Sequence, residues 1–69
     1  MTNFSVFING ESVELFEPLT AGELLVMLAI QRKGVAIALN GGILPRSEWD
    51  QHRITEGDRI EIVTAAAGG

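Results

Sequence analysis

The chain has 69 residues, nine acidic against five basic side chains for a net charge of −4, no cysteine and one histidine. That length allows a single domain without a deep catalytic cleft, one that buries only about 60% of the surface its unfolded form exposes. The missing cysteines exclude disulfides, thiolate metal sites and a cysteine nucleophile, one histidine cannot complete a metal site, and the charge has the wrong sign for binding nucleic acid.

Phe4, Val6 and Ile8 alternate with Asn3, Ser5 and Phe7 and predict a first strand. Asn9-Gly10 follows, a hairpin signal because both turn residues must accept positive φ. Placing the pair at the turn sets the register: Ile8 faces Glu11, Phe7 faces Ser12, Val6 faces Val13 and Phe4 faces Leu15. Phe4, Val6, Val13 and Leu15 then form a core face, while Ser5, Ser12, Glu14 and Phe7 lie on the other. Pro18 ends the second strand. Thr20 to Glu23 has capping-box spacing, with Leu19 and Leu24 at the staple positions around it. Leu24, Leu25, Leu28 and Ala29 continue as an apolar stripe. Arg32 and Lys33 suit the negative end of a helix, and Gly34 suits the residue after it. A helix of about three turns is expected.

Val35 to Leu39 is apolar on both faces and predicts a strand covered at least partly on each side. Asn40-Gly41-Gly42 turns the chain into a short strand, Ile43-Leu44, ended by Pro45. Ser47 is placed to cap a helical turn with acids behind it, and Trp49 and Ile54 to pack beneath a loop. Glu56-Gly57-Asp58 turns into a last strand in which Ile60 and Ile62 face one way and Arg59, Glu61 and Val63 the other. No signal peptide and no apolar run of membrane-spanning length occurs, so a cytoplasmic protein is expected.

The order β-β-α-β-β-β with one amphipathic helix predicts an α+β fold: a mixed sheet of about five strands with the helix on one face. First and last strands lying parallel in the centre close it without a crossing loop, which is the ubiquitin-like β-grasp. Residues 1–63 form that domain, and residues 64–69 a flexible C-terminal tail.

The tail, Thr64-Ala65-Ala66-Ala67-Gly68-Gly69, has no bulky side chain and ends in a carboxylate. Extended, six residues reach about 20 Å, enough to enter another protein's active site. A carboxylate is a poor electrophile until its oxygen becomes a good leaving group, so a slim Gly-Gly terminus suits an activating enzyme. A frayed end has the same composition. Ala65, Ala66 and Ala67 keep the arm thin, Gly68 lets an active site close around it, and Gly69 supplies the reacting carbon. Phe7, Ala36, Ala38 and Val63 share the sheet face away from the helix, a small apolar patch suited to docking. Arg59 and Arg46 could meet acidic groups of a partner or simply be solvated. His52, between Gln51 and Arg53, reads as a surface residue, and no pair of carboxylates suggests acid–base work.

The stretch Ala38-Leu39-Asn40-Gly41-Gly42-Ile43-Leu44-Pro45-Arg46-Ser47-Glu48-Trp49, then Gly57 to Val63 and the terminal Gly68-Gly69, resembles the ThiS family, the sulfur carriers of thiamine biosynthesis. The resemblance runs end to end and includes the Asn-Gly hairpin and the Thr20…Glu23-Leu24-Leu25 helix start. It implies that Gly69 is adenylated with ATP by an E1-like, ThiF-like adenylyltransferase and converted to a thiocarboxylate with sulfur from a persulfide donor. The sulfur then passes to a ThiG-like thiazole synthase. On this reading the chain is a covalent carrier and co-substrate rather than an enzyme, binds no cofactor of its own, and is a monomer when free. Its alanine tail is plainer than many in the family. A MoaD-like small subunit of molybdopterin synthase shares the fold, but such chains tend to carry prolines before Gly-Gly, where this one has Thr64-Ala65-Ala66-Ala67. A ubiquitin-like protein modifier and a passive β-grasp interaction module are the remaining alternatives.

Overall fold

In a computed structural model, which describes residues 3–64, both Asn-Gly pairs form two-residue turns and each closes a hairpin. All four turn residues take positive φ: 50° and 86° at Asn9-Gly10, 52° and 89° at Asn40-Gly41. The first turn joins β1 (Phe4–Ile8) to β2 (Glu11–Leu15) in the expected register, Phe4 opposite Leu15 and Ile8 opposite Glu11. The second joins β3 (Val35–Leu39) to β4 (Gly42–Leu44). Gly42 therefore belongs to β4, opposite Leu39, and not to a three-residue turn.

The capping box at α1 (Ala21–Met27) is complete: Thr20 Oγ1 accepts from Glu23 N–H at 3.1 Å and Glu23 Oε1 from Thr20 N–H at 2.9 Å. The other early amides are taken up by the loop, Ala21 N–H donating to His52 O at 3.0 Å and Gly22 N–H to Trp49 O at 2.8 Å. The helix is shorter than its stripe implies. Ala29 takes φ 61° and donates to Val26 O at 3.0 Å, while Ile30 N–H donates to Leu25 O at 2.9 Å. Those two bonds make a Schellman motif, which satisfies the last carbonyls and turns Ile30 back onto the core. Ala29 is consequently exposed, Arg32 and Lys33 lie outside the helix, and Gly34, at φ 73°, leads into β3 instead of ending α1.

The sheet order is β2-β1-β5-β3-β4, with β5 (Arg59–Thr64) central, parallel to β1 and antiparallel to β3. Leu24 and Leu25 of α1 are fully buried against Val6, Leu15, Ile37 and Ile60, each worth about 1.5–3 kcal/mol. Among the described residues only that face is fully covered. Val35 and Ile37 are buried, whereas on the other side Ala36 is exposed and Ala38 half-buried, so the second face of β3 has the partial cover its composition suggests and no more. β5 runs one residue beyond the expected domain limit, with Thr64 opposite Val35. Between β4 and β5 a 3-10 turn (Arg46–Glu48) starts at Pro45, with no side-chain cap from Ser47. Trp49 plugs this loop, 1% exposed, with Nε1 donating to Leu44 O at 3.0 Å, and Ile54 is buried beside it in the same core.

Candidate functional site

β5 is the strand from which the terminal residues continue, and both Asn-Gly turns hold it by its backbone. Asn40 N–H donates to Arg59 O at 2.7 Å, and Asn40 Oδ1 accepts from Arg59 N–H at 2.9 Å. Its Nδ2 donates to Asp58 Oδ1 at 3.2 Å, and the other carboxylate oxygen of this almost buried acid accepts from Thr55 N–H at 2.8 Å. On the opposite edge, Phe7 N–H donates to Asp58 O and Asn9 N–H to Ile60 O, both at 2.9 Å. Asn9 then adds its side chain, Oδ1 accepting from Ile62 N–H at 2.8 Å and Nδ2 donating to Ile62 O at 3.3 Å. The Asn-Gly signal predicts the turns, but nothing local in the sequence announces these bonds to β5.

The face of the sheet away from α1 carries the predicted docking residues together. Phe7 lies beside Arg59 across the β1–β5 pair, Ala36 opposite Val63, and Ala38 opposite Glu61. Ile43, opposite Ala38, joins them and extends the patch to the β4 edge. Phe7 is 42% exposed, Val63 62% and Ile43 75%, so the patch is a surface and not a disguised core. Ile43 was legible only with the two-residue turn. A shallow depression of about 440 Å³ lies beside the patch, lined by Phe7, Gly10, Arg59, Ile60 and Glu61. Among the described residues Arg59 forms no ion pair and no cluster of three His, Asp or Glu side chains could hold a metal.

The sequence and the fold have counterparts among known proteins. The ThiS family matches residues 6–69, nearly the whole chain. The chain belongs to the ThiS family. The sulfur carrier protein ThiS of Escherichia coli is 34% identical over 64 residues, covering 93% of this chain and 97% of that one. A thiazole synthase of Paramagnetospirillum magneticum is 36% identical over 62 residues, 90% of this chain but 19% of that protein. The crystal structure of the thiamine biosynthesis protein ThiS from Geobacter metallireducens superposes with a TM-score of 0.82 at 30% identity, covering 96% of this chain and 100% of that one.

Within this ThiS chain, the other singled-out residues divide. Arg46 is structural: its guanidinium donates to Arg32 O and Val35 O, both at 3.0 Å, and sits 4.9 Å from the Trp49 ring centroid. That fixes the start of β3, against which Thr64 pairs. His52 is half-buried, not on the open surface, because its carbonyl receives the first amide of α1. Ala65, Ala66, Ala67, Gly68 and Gly69 lie outside the described residues.

Proposed function

We propose that this protein carries sulfur on its C-terminal carboxylate for thiazole formation. In the first step Gly69 attacks the α-phosphorus of ATP on an E1-like, ThiF-like partner and displaces pyrophosphate. The terminal sulfur of a persulfide then attacks the acyl carbon, and AMP leaves. A second thiol cleaves the resulting sulfur–sulfur bond, which leaves a thiocarboxylate on Gly69 and a disulfide on the donor side. The thiocarboxylate is consumed by a ThiG-like thiazole synthase. The chain itself supplies position and the carboxylate to be activated, while ATP, bound by the partner, supplies the leaving group.

The observation that carries this reading is that the family match extends through Gly69, directly beyond a central, doubly paired strand. The thiazole synthase with a ThiS-like stretch supports the choice of acceptor. The exposed face of Phe7, Ala36, Ala38, Ile43 and Val63, edged by Arg59, is the docking surface in this scheme.

The test is the intact mass after incubation with activating enzyme, ATP and a persulfide source. An oxygen-to-sulfur exchange confined to Gly69 and dependent on ATP is expected. An unchanged mass, with an activator shown to work on another carrier, would overturn the reading. Docking is tested separately with Ile43→Lys and Val63→Lys: both should keep the wild-type melting temperature and raise KM for activation about 10-fold, near 1.4 kcal/mol. An unchanged KM would remove this face from the interface.

A further inference from the structure

Asn9 does more than its turn requires. The turn needs a residue that tolerates φ near 50°, and glycine or aspartate would serve. Its amide is nevertheless committed to Ile62, 53 residues away, meeting both the N–H and the C=O of that residue. An acceptor and a donor aimed at one residue's backbone are what a neighbouring strand offers. β1 ends at Ile8 whereas β5 continues to Thr64, so the β1-facing edge of β5 would otherwise lie open from Ile62 onward. The Asn9 backbone takes one rung at Ile60 and its side chain takes the next at Ile62.

We propose that Asn9 is a positioning residue for the terminal arm, a one-residue extension of β1 that fixes where β5 leaves the sheet. This rests on the carrier reading, in which a partner docked on the sheet face must find the Gly69 carboxylate at a reproducible place. If the Asn9 bonds are lost, Ile62 joins Val63 and Thr64 in keeping only the β3 side of its pairing. A looser Ile62 at the end of β5 then leaves the partner more to align before the carboxylate meets ATP. Docking is unchanged and productive alignment is rarer, so the loss falls on kcat and not on KM.

The experiment uses Asn9→Gly, which keeps the turn and removes the amide, and Asn9→Asp, which keeps the turn and an acceptor but loses the donor. Gly10→Ala is the control: its φ of 86° strains the same turn, while an added Cβ meets nothing within 4 Å. Amide hydrogen exchange at Ile62 and ATP–pyrophosphate exchange with a ThiF-like activator are measured on the full chain. Expected in Asn9→Gly are Ile62 exchange accelerated about 10-fold beyond any global destabilisation, and kcat lowered about 3- to 10-fold with KM within about 2-fold; Asn9→Asp, which still accepts from the Ile62 N–H, should fall between Asn9→Gly and wild type in both. Gly10→Ala should lower stability and leave Ile62 exchange relative to global unfolding, kcat and KM near wild type. Unchanged Ile62 exchange in Asn9→Gly would overturn the proposal, as would an equal kcat loss in Gly10→Ala. A wild-type chain that no activator adenylates would sink the carrier reading instead, and Ile62 exchange would still decide whether Asn9 holds the strand.

Discussion

The hairpin turns and the end of α1 use the same left-handed backbone conformation with opposite occupants. At the turns, Gly10 and Gly41 stand at φ 86° and 89°, where an added Cβ would touch nothing, so the whole case for glycine is the torsion itself. At the helix end Ala29 sits at φ 61°, where a side chain is strained by roughly 1–2 kcal/mol. The turns are chosen by their own residues. The helix end is imposed from outside, by Ile30 packing on the core and by the loop around Trp49, whose Arg46 donates to Arg32 O just after the helix.

Removing that outside constraint is the strongest way to break the contrast. Trp49→Ala should cost about 3–5 kcal/mol, against a total of roughly 3–10 kcal/mol for a domain of this size. Thermal unfolding checks the size of the loss. Amide exchange checks its place: residues 28–34 should open before either hairpin. If the hairpins open first, the helix end is not held by the loop.

Exchanging the occupants gives a finer test. Gly41→Ala should destabilise by about 1–2 kcal/mol through torsion alone, and Ala29→Gly should stabilise by about 1 kcal/mol, a nearly mirror-image pair in chemical denaturation. Similar midpoints for Ala29→Gly and wild type would mean that the flexibility gained by the unfolded chain offsets the relief of strain.

This contrast also explains what could be read from the sequence. Hairpin register, the capping box and the central parallel pair follow from neighbours or from the count of elements, and Thr20, Glu23, Asn9-Gly10 and the alternating strands state them directly. The helix stop is not legible locally because Gly34 has the residue type that usually follows a helix, whereas Ala29 takes the left-handed conformation that ends this one. Arg46 and both turn asparagines were read as a surface charge and as turn formers. Their decisive partners, Val35, Arg59 and Ile62, lie 11, 19 and 53 residues away and become neighbours only once the sheet exists. The exposed sheet face is legible through Phe7, Ala36, Ala38 and Val63 because period-two alternation assigns faces, and Ile43 escapes it because a three-residue turn does not place Gly42 in β4. For the terminal arm the sequence carries the chemistry, since Ala65 to Gly69 lie outside the described residues.

The smallest expected effect concerns the Arg32–Asp50 ion pair, which bridges the loop to the segment after α1 and passes over Gly22 at the helix start. The Arg32 hydrogen bond, more than its charge, holds the Asp50 carboxyl below its ordinary value, and both side chains are substantially exposed. A carboxylate depressed in the folded state stabilises above its unfolded pKa, and that contribution is lost as pH falls through the folded value, so any pH effect lies below about pH 4. Exposure and salt screening keep it slight. Asp50→Asn should therefore flatten the acid limb of a melting-temperature profile at low salt and leave neutral stability nearly unchanged. Gly22→Ala offers an independent way to the same end, because its Cβ would collide with the paired Arg32 and Asp50 side-chain tips, which are free to swing aside. If both variants leave the low-salt acid limb as steep as in wild type, the pair contributes nothing to holding the loop. The constraint on Ala29 then rests on packing, of Ile30 on the core and around Trp49, without help from charge.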